Sequence, residues 1–384
     1  MKVYFDNAST TFPKPKVVVD NIYNYLINVG GNANRSASSN SLETSRQLCN
    51  ARETVADFFN FHNSSNVIFT NNITTSLNML IRGFLKEGFH VISSTMEHNS
   101  ILRPLMDLKE NLNIDLTLIN ASSTGYISVS DVKKAIKTNT KLIILSHASN
   151  VTGSIQPLEE IGKICLDKNI FFIIDSAQSA GVINVDMKKL NADAIAFTGH
   201  KSLLGPQGSG GFIINDKLNN LCHPIISGGT GSLSYSLNQP DFLPDKFESG
   251  TLNMPGIIGL ASGIDYIKSI GRENIESKMK LLRSTLYSGL KNIKNVTVYG
   301  GDDPLKTTTC ISFNINNVDP SELSYFLDKN NISSRSGLHC APLAHKSIGT
   351  FPEGTVRFSL SYFNTLDEID YVLSVLNKFN KSLL

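Results

Sequence analysis

Three runs decide the fold: Lys141-Leu142-Ile143-Ile144-Leu145-Ser146, Ile170-Phe171-Phe172-Ile173-Ile174-Asp175 and Ala194-Ile195-Ala196-Phe197-Thr198. Each is short, almost continuously apolar and closed by a polar residue, the pattern of a strand buried on both faces of a sheet. Working outward, residues 67–70, 90–94, 115–119 and 211–214 read the same way and bring the expected strands to seven. Stretches with helical spacing lie between them at 74–86, 100–111, 129–136 and 157–167. Pro157 sits where a first helical turn tolerates proline, and Pro104 is near a helix start. Such alternation predicts an α/β domain with a mainly parallel seven-stranded sheet flanked by helices. After Gly228-Gly229-Thr230-Gly231-Ser232 comes an irregular polar stretch to about residue 253, then helices at 256–270 and 272–291. Strands at 296–299, 309–315 and 355–360 and helices at 321–329 and 366–379 complete a smaller α+β C-terminal domain. The expected division is a large domain of residues 16–255 and a small one of residues 1–15 and 256–384.

The 384 residues are 41% hydrophobic and 18% charged, with a net charge of +2, which suits a packed enzyme and not a disordered chain. No basic tract suggests a nucleic-acid groove. No apolar run approaches the roughly 18 residues of a membrane span. Asp6 interrupts the N-terminal apolar residues where a signal peptide would continue, so a cytoplasmic protein is expected. Five cysteines stand alone at 49, 165, 222, 310 and 340, with no CxxC pair, so neither a metal site nor a disulfide framework is expected.

In open parallel sheets, ligands gather beyond the carboxyl ends of the strands. The polar residues there are Asn71-Asn72-Ile73-Thr74, Met96-Glu97-His98, His147-Ala148-Ser149-Asn150, Asp175-Ser176-Ala177-Gln178 and Thr198-Gly199-His200-Lys201. Singly, each has a plain alternative: Asp175 a turn residue, His98 a satisfied loop histidine, Lys201 a solvated lysine. Together they describe a cofactor seat. A desolvated lysine can form a Schiff base, and an aspartate can hold a protonated pyridine nitrogen. The helix opening at Asn72-Ile73-Thr74 favours a phosphate, with Thr198 and His200 as further donors. A carboxylate, an amine and an anion seat on one sheet edge point to pyridoxal 5′-phosphate.

With these residues in view, the chain resembles the class V aminotransferase family of fold-type I pyridoxal-phosphate enzymes, within it the cysteine desulfurases and selenocysteine lyases. The resemblance runs from Tyr4-Phe5-Asp6-Asn7-Ala8-Ser9-Thr10-Thr11 through Met96-Glu97-His98-Asn99-Ser100, Asp175-Ser176-Ala177-Gln178, Thr198-Gly199-His200-Lys201 and Phe247-Glu248-Ser249-Gly250-Thr251 to Arg335-Ser336-Gly337-Leu338-His339-Cys340-Ala341-Pro342. It implies that Lys201 holds the cofactor as a Schiff base and moves protons, and that Asp175 pairs with the pyridine nitrogen. It further implies that Gln178 and Asn150 contact the ring-oxygen side and that His98 stacks on the ring as the acid–base group. Ile73, Thr74, Thr198 and His200 would hold the phosphate. Thr251 would reach the phosphate of the neighbouring subunit, which makes the protein a homodimer. Arg335 and Arg357 would bind the substrate carboxylate, with Asn150 beside them, a task suited to a guanidinium fork.

Cys340 differs from the other cysteines because it lies in a loop-like segment, five positions after Arg335. Neighbouring cations favour the thiolate that does the chemistry. Cys165 falls in an expected helix and Cys310 in a strand, both read as core; Cys49 lies in a helical region, and Cys222 receives no role. The resemblance implies conversion of L-cysteine to L-alanine with sulfur left as a persulfide on Cys340. The compact segment 335–340 resembles the second desulfurase group, in which an accessory sulfur-acceptor protein usually collects the sulfur. Three departures stand out. Asn72-Ile73-Thr74 replaces the Gly-Thr-Thr of many relatives, and Asn34-Arg35-Ser36-Ala37-Ser38 lacks the histidines common there. Ser176 replaces a small residue after the aspartate. Rival readings are a selenocysteine lyase using the same residues, another class V lyase or aminotransferase in which Cys340 is incidental, and a non-catalytic sulfur carrier. A nicotinamide-dependent dehydrogenase would need a strand–GxGxxG–helix unit, and Gly208-Ser209-Gly210-Gly211 precedes a strand instead.

Overall fold

The computed structural model describes residues 1–33 and 38–382. Most of segment 34–38, noted above for its lack of histidines, therefore lies outside the described residues. The chain runs β1 (Val3–Tyr4), α1 (Lys16–Asn24), a π-helical turn (Tyr25–Val29), α2 (Ser39–Phe58), β2 (Val67–Thr70), α3 (Ile73–Phe84), β3 (His90–Ser94) and α4 (Asn99–Asn111). It continues through β4 (Asp115–Ile119), α5 (Val129–Ala135), β5 (Thr140–Ser146), α6 (Leu158–Lys168), β6 (Phe171–Asp175), β7 (Ala194–Thr198), β8 (Gly210–Ile214) and α7 (Asp216–Asn219). The remainder is α8 (Met254–Ile270), α9 (Arg272–Lys291), β9 (Val296–Tyr299), β10 (Cys310–Ile315), α10 (Pro320–Lys329), β11 (Ile332–Ser333), β12 (Arg335–Gly337), α11 (Pro342–Ser347), β13 (Thr355–Ser359) and α12 (Leu366–Ser382).

The central seven-stranded sheet has the order β2-β8-β7-β6-β5-β3-β4. Only β8 runs antiparallel to its neighbours; the rest share one direction, as expected for strands joined through helices. Side chains alternate between two cores with the period of a strand. Ile143, Leu145, Phe172, Ile174, Ile195 and Phe197 pack on one face with α2, α6 and α8. Leu142, Ile144, Phe171, Ile173, Ala194 and Ala196 pack on the other with α3 and α4. Pro104 lies inside α4 and not at its first turn.

A four-stranded antiparallel sheet, β12-β13-β10-β9, and the parallel pair β1-β11 form a second core with α9, α10 and α12. Helix α8 buries Met254, Ile257, Leu260, Ile264 and Ile267 in the core of the large sheet. We therefore propose that the division into two units falls after α8, because a cut at residue 255 would strip the large sheet of a covering helix. Among the described residues no helix is long and apolar enough to cross a membrane.

A buried ion pair fastens the irregular stretch before α8 to the sheet. Arg52 on α2 holds the Glu248 carboxylate with both terminal nitrogens and also donates to the Val67 carbonyl. The Phe69 amide donates to Glu248 Oε1 at 2.7 Å. Removing one partner of such a pair leaves an uncompensated buried charge. Arg52→Ala is expected to destabilise the protein by about 3–5 kcal/mol, read as a lowered urea midpoint; a loss below about 1 kcal/mol would contradict this role.

Candidate active site

The strands that end together supply the site. Asp175 is the last residue of β6, Thr198 the last of β7, and Lys201 follows in the next turn. The parallel register sets Asp175 beside Ala196, so the carboxylate and the amine emerge from neighbouring strand ends. The Lys201 amine has no hydrogen bond or ion pair with any described residue, while its carbonyl accepts from the Leu204 amide at 2.9 Å. Burial lowers its pKa, Asp175 opposes that shift, and Arg357 and Arg335 add to it. Asp175 is 4% exposed and accepts a 2.8 Å bond from the Ala177 amide. Burial raises its pKa against the pull of that amide and of Lys201. An amine made less basic by burial and a carboxyl seeking a cation are what a carbonyl cofactor with a basic ring nitrogen requires.

The phosphate seat passes a separate test. Thr198 Oγ1 and His200 Nδ1 are buried and have no partner among the described residues. At the start of α3, Asn72 Oδ1 caps the Thr75 amide at 3.0 Å, while the helix ladder leaves the Ile73 and Thr74 amides free. Unpaired buried donors beside a helix N-terminus suit an anion. Gln178 donates to the Ala8 carbonyl at 3.1 Å, and its Oε1 faces Cys310 Sγ at 3.9 Å. Thr251 does not join this cluster; it is exposed and lines a separate hollow of about 180 Å³ with Thr70, Asn71 and Ser209.

His98 caps α4. Its Nδ1 accepts from the Ser100 amide at 3.1 Å, which assigns the proton to Nε2. Burial and the surrounding cations Lys201, Arg335, Arg357 and Arg103 push its pKa down to about 4. The ring is thus a neutral donor at physiological pH. Arg335 and Arg357 are direct cross-strand partners on β12 and β13. Arg357, 1% exposed, donates to the Asn150 carbonyl at 2.9 Å and pairs with Asp6 at 3.0 Å. Ser9 Oγ stands 3.2 Å from a terminal nitrogen of each arginine.

Cys340 occupies a turn between β12 and α11, with Arg335 Nη2 at 3.7 Å from its sulfur. The loop reading holds for residues 338–341, whereas Arg335–Gly337 is strand. His339 and Cys340 both adopt left-handed backbone, at φ 48° and 57°, which non-glycine residues rarely do in succession. The turn is held there by Asn150 Nδ2 on the His339 carbonyl (2.7 Å), the Asn99 amide on the Cys340 carbonyl (2.8 Å) and His339 Nε2 against Thr355 Oγ1 (3.1 Å). Cys165 and Cys310 are buried as expected.

Two contributors escaped sequence reading. Glu97 is wholly buried next to His98; its Oε1 accepts from Ser94 Oγ at 2.5 Å and its Oε2 from the Ser146 amide at 2.7 Å. It ties the loop bearing His98 to the end of β5, and burial raises its pKa to about 7. A carboxylate beside His98, just past the end of β3, was the available signal. The other is the His200 carbonyl, which receives Thr10 Oγ1, the Thr11 amide and Lys14 Nζ at 3.1, 3.0 and 2.7 Å. Nothing in the sequence pairs segment 10–14 with residue 200.

The raised pKa of Glu97 means that the folded state holds a proton that the unfolded chain releases near 4.5, so its contribution weakens from about pH 4.5 to 7. Glutamine can serve the same two partners without the charge. Glu97→Gln should therefore gain stability relative to the wild type as pH rises through that window, measured by urea unfolding at fixed pH values. A difference that stays flat from pH 4.5 to 8 would contradict the assignment.

The profile of the aminotransferase class-V family matches residues 3–372. Similar proteins include one from Methanothermobacter thermautotrophicus named "Probable cysteine desulfurase", 36% identical over 96% of this chain and 92% of its own. Another of the same name, from Pyrococcus abyssi, is 35% identical over 99% and 95%. Among solved structures, the apo form of a cysteine desulfurase from Thermococcus onnurineus superposes with a TM-score of 0.93 at 35% identity, covering 99% of this chain and 95% of that one. Enzymes of this family depend in general on pyridoxal phosphate. By fold, by the lysine and aspartate at adjacent strand ends and by sequence along nearly its whole length, the chain belongs to the aminotransferase class-V family.

Proposed function

We propose that the protein is a pyridoxal-phosphate-dependent cysteine desulfurase that converts L-cysteine to L-alanine and retains the sulfur on Cys340. The observation that carries this reading is the exposed thiol of Cys340, held in a strained, pinned turn 3.7 Å from Arg335 and on the same site as Lys201. The names of its relatives favour it over the alternatives. Lys201 would hold the cofactor, Asp175 its ring nitrogen, Gln178 and Asn150 the ring-oxygen side, and His98 its face. Ile73, Thr74, Thr198 and His200 would bind its phosphate, with Thr251 serving the phosphate of the second copy in a homodimer. When bound, pyridoxal phosphate supplies an aldehyde that exchanges between amines and a ring that accepts the electron pair left at Cα.

Arg357 and Arg335 bind the substrate carboxylate, and Asp6 and Ser9 keep their forks aimed. Lys201 Nζ takes the proton from Cα, a task for an amine that burial has made less basic. His98 Nε2–H serves as the donor on the opposite side. Cys340 Sγ, as thiolate, attacks the substrate sulfur; the Cβ–S bond breaks and its electron pair stays with the carbon fragment, which is protonated to alanine. L-Cysteine and one thiol thus give L-alanine and one persulfide, in balance. A thiol acceptor then clears the sulfur. The five free cysteines suit a cytoplasmic setting.

Cys340→Ser should keep the bound, coloured cofactor while alanine formation from L-cysteine falls at least 100-fold; normal turnover in that variant would refute the role of the thiol. Selenium leaves carbon more readily than sulfur, so Cys340→Ala measured on both substrates separates the two chemistries. A desulfurase loses cysteine turnover and keeps some activity on selenocysteine. Arg357→Lys loses the fork and should raise the KM for cysteine at least tenfold with a smaller change in kcat.

A further inference from the structure

Cys340 opens onto a groove of about 420 Å³ whose inner wall holds His98 and Thr74 of the cofactor seat and whose outer wall has no role in the first half of the reaction. Its walls come from α3, with Thr74, Asn78 and Arg82, and from α4, with Arg103 and Asp107. Arg82 is neutralised there, 2.7 Å from Asp107 and donating through Nε to Asn78 at 3.0 Å. Arg103 is different: it is exposed and has no ion pair or hydrogen bond with any described residue. The groove therefore carries one uncompensated positive charge along the approach to the nucleophile. Because the Cys340 turn is pinned at three points, whatever collects the sulfur must come to it.

Resting on the desulfurase reading above, the geometry points to Arg103 as the recognition cation for the sulfur acceptor, a small thiol that carries a negative charge close to its sulfur. A hollow of this size admits a small molecule. The acceptor thiolate bonds to the outer sulfur of the Cys340 persulfide, and the Sγ–S bond breaks with its electron pair returning to Cys340. The acceptor leaves as the persulfide, so no outside oxidant or reductant is consumed. Arg103 acts by attraction at the mouth of the groove, which is sensitive to salt.

The test uses the holoenzyme, loaded with one sulfur from L-cysteine and desalted. 2-Mercaptoethanesulfonate, 2-mercaptoethanol and cysteamine share a two-carbon skeleton and differ in charge. Loss of the extra sulfur is followed by intact-protein mass, and rates are expressed per thiolate. The sulfonate should clear the persulfide about tenfold faster than cysteamine at low salt, with the neutral thiol between, and the spread should shrink as salt is added. Arg103→Gln should compress the series to within about twofold, and Arg103→Lys should keep the order. A flat series in the wild type, or a series unchanged in Arg103→Gln, overturns the inference and places acceptor recognition outside the groove. An Arg103→Gln protein that cannot be loaded overturns it too, because Arg103 would then serve the first half-reaction. Failure of the wild type to load at all is a separate result and counts against the desulfurase reading itself.

Discussion

The desolvation of one amine governs this structure. Lys201 lies at the end of β7 with no direct partner, beside a buried carboxylate at the end of β6. Burial alone would drive both groups to their neutral forms, the amine by losing a proton and the acid by keeping one. Each opposes the shift of the other through the field between them. The sheet imposes this contest, because its register sets neighbouring strand ends level and its two apolar faces keep water from the carbonyl ladder.

The second sheet supplies what the first cannot. Adjacent strands β12 and β13 place two guanidinium groups opposite each other, and the N-terminal segment binds them to the catalytic turn. Asp6 and Ser9 reach the arginines, while Thr10, Thr11 and Lys14 converge on the carbonyl of the residue before Lys201. Displacing this short segment would loosen the arginine pair and the turn that carries the amine together. Lys14 is part of that coupling, since burial lowers its pKa to about 8. A small cluster of Met96, Val151, Ala341, Ala344 and Ile348 attaches the nucleophile's turn to the ends of β3 and β5.

Sequence reading recovered the strands of the large sheet to within a residue, because a strand buried on both faces writes itself as an uninterrupted apolar run ending in a polar residue. It singled out Asp175, Thr198, His200 and Lys201 because strand ends are where polar residues become available to ligands, and the structure brings them to the ends of β6 and β7. It stopped short where function depends on contacts between distant segments. Glu97 was visible as a carboxylate just past a strand end, but its partners Ser94 and Ser146 lie on different strands. The boundary at residue 255 was placed where the irregular stretch gives way to the α+β elements, and the packing of α8 on the large sheet is the ground for proposing a later one. The left-handed backbone of His339 and Cys340 had no signal either, since neither position holds the glycine that marks such a turn.

The central claim is that one amine, Lys201 Nζ, carries the cofactor. Borohydride reduction of the pyridoxal-phosphate-loaded protein, followed by peptide mapping, reads it directly. The account predicts a single peptide bearing the reduced cofactor, with the added mass on Lys201 and loss of the visible absorbance. Label spread over several surface lysines, or confined to another residue, would contradict it.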